Sequence, residues 1–334
     1  MVEPAIKAGA GPPTPDLALR LAVQALKCDR ITVEVVAAFD AAAIPYILLK
    51  GPSIARWLYP SGGRSYCDTD LLVPADEFDR AERVIRSMGF VGRKDEFHPL
   101  ERNVVPEETA LVRPEGSDLG PVGVVDLHRN LSSLPFSDSV LWNAFSADTE
   151  LIPIAGVNVR VLGRTALALH IVQHAVHHGF GFHTDEDLRR AIAVMSLDDW
   201  RPVVDLAKEL GISDVLGFGL RRNETGAEIA DLLELPSLVL ADSAYWALGS
   251  PRGVTAVSEF LSASTYRERL RRLRWSLFPS PARLRSVSGR PDARGVALLA
   301  VYVSEWANMA SGFLPAVRFA RDRRRQIDSQ KSAG

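Results

Sequence analysis

Asp68 and Asp70 stand one residue apart at the head of a short apolar run, CDTDLLV. On an extended strand alternate side chains share a face, so the two carboxylates point one way and Thr69 the other. A third acid, Asp126, is set in another apolar run, VGVVDLHRNL, where Val124, Asp126 and His128 share one face and Val125 and Leu127 the other. Carboxylate oxygens gathered on one strand face suit Mg²⁺, or Mn²⁺ in its place, which completes its shell with water and phosphate oxygens. If the two runs are neighbouring strands, three carboxylates meet at one edge. Such a set can hold two metal ions and activate a hydroxyl for in-line attack on phosphorus. An isolated Asp-x-Asp is more commonly a solvated turn. This one has company: the Lys50-Gly51 turn and the loop Arg64 upstream, and the strand-borne Asp126 downstream. Ionised carboxylates are costly to bury unless something neutralises them, and a bound cation would do so.

The elements that carry these residues follow from local pattern. PYILLKG, residues 45–51, reads as a short apolar strand ended by glycine, and PSIARWLY as a helix with Pro52 in its first turn. The loop PSGGRSY leads into the strand of Asp68 and Asp70. Upstream, residues 16–43 carry helical periodicity in two segments. Downstream, EFDRAERVIRSMGF is a helix capped by Asp76, with Phe78, Ala81, Ile85 and Met88 on one face and Gly89 as its stop. Extended pieces follow around 103–113 and 122–128. From about residue 163 every segment is helical in period, and no strand is expected after 161. The expected fold class is α+β. A flexible leader over 1–15 precedes a mixed-sheet domain with N-terminal helices over 16–160, and an all-helical domain fills 161–330.

Composition narrows the function. Apolar residues make up 47% and charged residues 24% of 334 residues, which excludes a disordered chain. A net charge of −2 advertises no polyanionic partner for the chain as a whole. Cys28 and Cys67 lie far apart without metal-ligand spacing, the pattern of a reducing compartment, so the expected location is cytoplasmic. GVALLAVYVSEWANMASGF is apolar enough to resemble a membrane span, but Glu305 interrupts it. Ser304, Asn308 and Ser311 form a polar stripe opposite Leu299, Val303, Trp306 and Ala310. It reads as an amphipathic core helix, and no membrane insertion is expected.

The succession ILLKGPSIARWLYPSGGRSYCDTDLLVP, then MGF, then VVDLHRNL, resembles the polymerase-β-like nucleotidyltransferases, and within them an uncharacterised bacterial branch. The resemblance covers residues 44–130, more weakly 165–210. It implies a metal-dependent enzyme that moves a nucleoside monophosphate from an NTP to an acceptor hydroxyl or side chain and releases pyrophosphate. Carried over residue by residue, it implies that Asp68 and Asp70 bind both metals. Asp126 would ligate the catalytic metal near the attacking hydroxyl. Gly51 and Ser53 match the family's phosphate turn, and Lys50 and Arg64 add positive charge to the triphosphate. Two departures stand out: Pro52 separates the usual glycine and serine, and Thr69 replaces the apolar residue usual between the acids. The helical domain over 161–330 is expected to bind the acceptor, whether small molecule, tRNA or protein.

Other features admit their own readings. His170, His174 and His177 fall at i, i+4, i+7 on one helix, a spacing open to Zn²⁺ or to plain packing against the sheet domain. Asp187, in HTDEDLRRA, either shapes a base pocket or caps its helix. Between Arg267 and Arg325 there are fourteen arginines against four acids, which suits RNA contact or a solvated face. The rivals to an enzyme are a non-catalytic nucleotide-binding regulator and an RNA-binding or interaction protein led by this arginine-rich end.

Overall fold

The structure is a computed structural model that describes residues 15–92, 108–114, 122–131, 138–178 and 181–237, with scattered positions between 266 and 311. It divides into two compact units. The first takes in Met1–Arg93 and Glu107–Ala247, the second Lys94–Pro106 and Leu248–Gly334.

The first unit is built on a seven-stranded mixed sheet, as the α+β reading expects. Its strands are β1 (Ile47–Leu48), β2 (Asp68–Leu72), β3 (Val91–Gly92), β4 (Glu108–Arg113), β5 (Gly123–His128), β6 (Thr149–Ile154) and β7 (Val157–Leu162). They lie in the order β3-β4-β5-β2-β1-β7-β6. β2 runs parallel to β5 and antiparallel to β1, and β1 runs parallel to β7. α1 (Pro15–Ala41), α2 (Pro52–Leu58), α3 (Phe78–Ser87) and α4 (Asp138–Ala147) are threaded among the strands. After the sheet come α5 (Arg164–His177), α6 (Phe182–Val194), α7 (Leu197–Glu209), α8 (Ser213–Leu220) and α9 (Glu224–Leu232).

Alternation along the strands sorts the core into two. Leu48, Leu71, Val125 and Leu127 face α1 and α3 and pack with Ile31, Val35, Phe39, Phe78 and Ile85. Ile47, Leu49 and Leu72 face the other way and join Leu167, Ile171 and the helices that follow. α5 is buried along nearly its whole length. Its first turn is held by the Asp148 carboxylate, which accepts from the Ala166 N–H at 2.7 Å.

Three features differ from the sequence expectation. Residues 16–41 form one continuous helix, not two segments. Glu77, not Asp76, holds the N-cap position of α3. The hairpin of β6 and β7 lies in a stretch of the mixed-sheet domain to which the sequence reading assigns no element, and it completes the sheet beyond β1. Its two-residue turn, Ala155-Gly156, has φ of 43° and 84°, the left-handed pair that a tight hairpin needs.

In the second unit, Leu284 of α10 (Pro281–Ser288) packs with Ala293 and Val301, flanked by Leu298 and Tyr302. The stripe expected to be core is instead exposed: Leu299 by 58% and Val303 by 54%. The buried face of that helix lies a step round, at Val301. Among the described residues, no helix is long and apolar enough to cross a membrane. Residues 1–14, Arg269, Arg271, Arg272 and the arginines from 318 onward lie outside the described residues.

Candidate active site

β2 and β5 set Asp70 directly opposite Asp126, with Asp68 opposite Val124. Parallel pairing in this register brings the three carboxylates together, each offering an oxygen within 4.8 Å of the others. Thr69 points to the far face, as alternation requires. There its hydroxyl pairs with that of Thr32 at 2.9 Å, and the Cys28 thiol donates to the Asp68 carbonyl oxygen at 3.1 Å. α1 is thereby fastened to the back of the strand that carries the acids.

Lys50 comes just after β1, and the intervening Leu49 N–H donates to the Asp70 carbonyl oxygen at 3.0 Å. Its ammonium Nζ lies 3.4 Å from Asp68 Oδ2 and 3.2 Å from Asp70 Oδ1. The chain then turns through Gly51 at φ 78°, ψ −110°, a conformation a side chain would strain, and enters α2 at Pro52. His128 approaches Asp70 Oδ1 through Nε2 at 3.4 Å and Glu108 Oε2 through Nδ1 at 3.6 Å.

The charges respond unequally. Burial pushes the Asp70 carboxyl up, but Lys50 and His128 outweigh it and hold Asp70 below the usual carboxylate range. At Asp126 the balance goes the other way: burial and then the Asp70 charge push it up to about 6, against His128 and Lys50. Asp68 is raised by burial and by Asp70, against Lys50. Burial would depress the Lys50 ammonium, yet Asp70 and Asp68 hold it above its ordinary value. His128 is likewise raised despite burial, through Asp70.

Facing this edge, α5 presents histidines. His170 is 3% exposed, and neither ring nitrogen has a hydrogen-bond partner among the described residues. Burial, and then the Lys50 charge, push it down to about 3, so it is neutral. His178 is pushed down to about 4 by burial and His177, and its ring lies 4.4 Å from that of His174. A cavity of about 450 Å³ opens here, walled by Lys50, Gly51, Arg64, Asp68, His174 and His178 among others. That size fits a small-molecule pocket.

Arg64 and Asp187 form a bidentate pair, Nε to Oδ1 at 2.8 Å and an Nη to Oδ2 at 2.7 Å, and the Tyr59 hydroxyl donates to Asp187 at 2.6 Å. Asp187 is 2% exposed and braces a pocket-wall arginine, which plain helix capping would not require. Ser53 does not line the cavity; its hydroxyl is buried without a hydrogen-bond partner among the described residues. The residues singled out in the sequence thus fall into two sets: Lys50, Gly51, Arg64 and Asp68 on the cavity, with Asp70 and Asp126 at its acidic end. Sequence reasoning assigned no role to His128 or Glu108. The shared face of Asp126 and His128 was the available signal for the first.

The residues fit a divalent cation. Asp70 Oδ2 and Asp126 Oδ1 are buried and have no hydrogen-bond partner among the described residues, and the donors are all hard oxygens. Among the described residues, these three acids are the only group of His, Cys, Asp or Glu placed to share an ion. Among the described residues, the histidine row forms no such group of its own.

A search of curated proteins returns no match. Among solved structures, the antibiotic-resistance factor ANT(2'')-Ia is 14% identical, with a TM-score of 0.34 over 59% of this chain and 95% of its own. An antigenic nucleotidyltransferase-like protein from Paracoccidioides brasiliensis is 14% identical, with a TM-score of 0.35 over 66% of this chain and 95% of its own. A family model described as "Uncharacterised nucleotidyltransferase" matches residues 18–224, more than half of the chain, and the chain belongs to that nucleotidyltransferase family.

Proposed function

We propose that this protein is a cytoplasmic, Mg²⁺- or Mn²⁺-dependent nucleotidyltransferase that moves a nucleoside monophosphate from an NTP to an acceptor and releases pyrophosphate. The observation that carries this reading is the convergence of Asp68, Asp70 and Asp126 within 4.8 Å at the end of a pocket of nucleotide size. Asp68, Asp70 and Asp126 would hold the metal, which when bound supplies Lewis-acid stabilisation of the charge developing on the phosphate. Asp126, whose carboxyl is pushed up to about 6, orients the attacking hydroxyl and takes its proton. Lys50 and Arg64 set positive charge against the triphosphate, Arg64 held in place by Asp187. Gly51 lets the backbone come close to the phosphates, and the Ser53 hydroxyl is a donor held in reserve behind it. Residues 16–160 do the chemistry in this scheme, and residues 161–330 receive the acceptor.

The test is incubation with each NTP labelled at the α-phosphate, Mg²⁺ or Mn²⁺, and a cell extract. Label should enter one fraction, whether RNA, protein or small molecule, and chelation should abolish it. Equal labelling by the wild type and Asp70→Asn would overturn the proposal.

A further inference from the structure

The acidic edge is charged before any metal arrives, and one side chain already answers it. The Lys50 ammonium sits between Asp68 Oδ2 and Asp70 Oδ1, at 3.4 and 3.2 Å. Its side chain is only 17% exposed. Its backbone is pinned beside the acids by the pairing of Leu48 with Leu71 and by the Leu49 N–H bond to Asp70. Buried carboxylates need a charged partner, and among the described residues Lys50, at 3.2 Å from Asp70, is the nearest. Two of the three carboxylates that could hold a divalent ion, Asp68 and Asp70, are those Lys50 now occupies. An ammonium and a dication cannot share them at close range without strong repulsion.

We propose that Lys50 is a resident counter-ion of this site, displaced when a divalent cation binds and then free to meet the triphosphate. This rests on reading Asp68, Asp70 and Asp126 as cation ligands. Several features make the exchange workable. The lysine side chain is long and rotatable, and Lys50 lines the cavity as well as the acidic edge. The histidines on the facing helix are neutral, so they do not repel an ammonium moving into the cavity. Asp70 Oδ2 and Asp126 Oδ1 have no hydrogen-bond partner among the described residues while Lys50 is in place, leaving a foothold for the incoming ion. The consequence is coupling between two ligands. Metal alone binds against the ammonium, whereas metal with NTP binds with the ammonium given a new partner.

The test uses the full chain and Mn²⁺ alone, followed by calorimetry and by the Mn²⁺ paramagnetic resonance signal. Lys50→Met should bind Mn²⁺ at least about tenfold more tightly than the wild type. A non-hydrolysable NTP analogue should tighten Mn²⁺ binding in the wild type and much less in the variant. Equal or weaker Mn²⁺ binding by Lys50→Met overturns the displacement. If neither protein binds Mn²⁺, the reading of the acids as cation ligands falls with it. Should the variant fail to fold, the wild type still decides the matter. Reductive methylation read by mass spectrometry should modify Lys50 faster when Mn²⁺ is added, with exposed Lys208 as the internal control. An unchanged or slower rate at Lys50 counts against displacement.

Discussion

The two faces of β2 treat polar groups in opposite ways. On the α1 face, Thr69 is fully buried and its hydroxyl is matched by Thr32, with the Cys28 thiol at 3.7 Å. On the α5 face, one residue along, Asp70 Oδ2 has no hydrogen-bond partner among the described residues, and neither have Asp126 Oδ1 or the two nitrogens of His170. Buried polar atoms are ordinarily paired, because leaving one unmet costs about 1–3 kcal/mol. A fold that satisfies one side of a strand and leaves the other unmet is organised around something that arrives later. The α1 face belongs to stability and the α5 face to ligands.

The sharpest way to break that contrast is to alter the acids. Asp68→Asn and Asp70→Asn should each lower turnover by at least about 10³-fold while the folded protein remains, as judged by circular dichroism and thermal unfolding. Asp126→Asn should lose turnover to a similar extent yet keep NTP binding, since Asp68 and Asp70 still hold the nucleotide-bound metal. Equal loss of NTP affinity in all three variants would remove the separate role of Asp126.

The other face should respond in stability instead. Thr69→Val leaves the Thr32 hydroxyl unmatched and should cost about 1–3 kcal/mol in denaturant unfolding. Turnover should fall no more than severalfold. A loss of turnover as deep as that of the acid variants would merge the two faces into one functional network.

His170 offers a smaller effect with a definite sign. Burial holds its folded-state value near 3, against an ordinary 6.5. As pH falls from 6.5 toward 3, the unfolded chain takes up a proton that the folded chain refuses, so stability is lost across that window. His170→Leu removes this loss. Relative to wild type, the variant should gain about 1–2 kcal/mol between pH 7 and pH 5. A difference independent of pH would mean that His170 is charged or solvated in the folded state.

Much of the site was legible because a strand has a period of two. That rule alone put Asp68 with Asp70, turned Thr69 away, and grouped Asp126 with His128. The parallel register of β2 and β5 then realised the meeting of the three acids. The β6–β7 hairpin was harder to see. β6 is an edge strand that contains Pro153 and exposes Leu151, so its alternation is weak, and the Ala-Gly turn lacks the usual Asn-Gly signature. Partners distant in sequence left no local trace. Arg64 meets Asp187 across 123 positions, and Lys50 reaches the acids only because β1 pairs antiparallel to β2. The histidine spacing on α5 was plain in the sequence. That burial would leave these rings neutral depended on what packs around them.

The central claim is transfer of a nucleoside monophosphate, and the position of a label tests it most directly. Reactions run in parallel with NTP labelled at the α-phosphate and at the γ-phosphate, in Mg²⁺ or Mn²⁺, distinguish the bond that breaks. The account predicts that α-label enters the acceptor and γ-label leaves in pyrophosphate, both lost in Asp70→Asn. Transfer of γ-label to the acceptor, or α-label transfer that persists without Asp70, would contradict it.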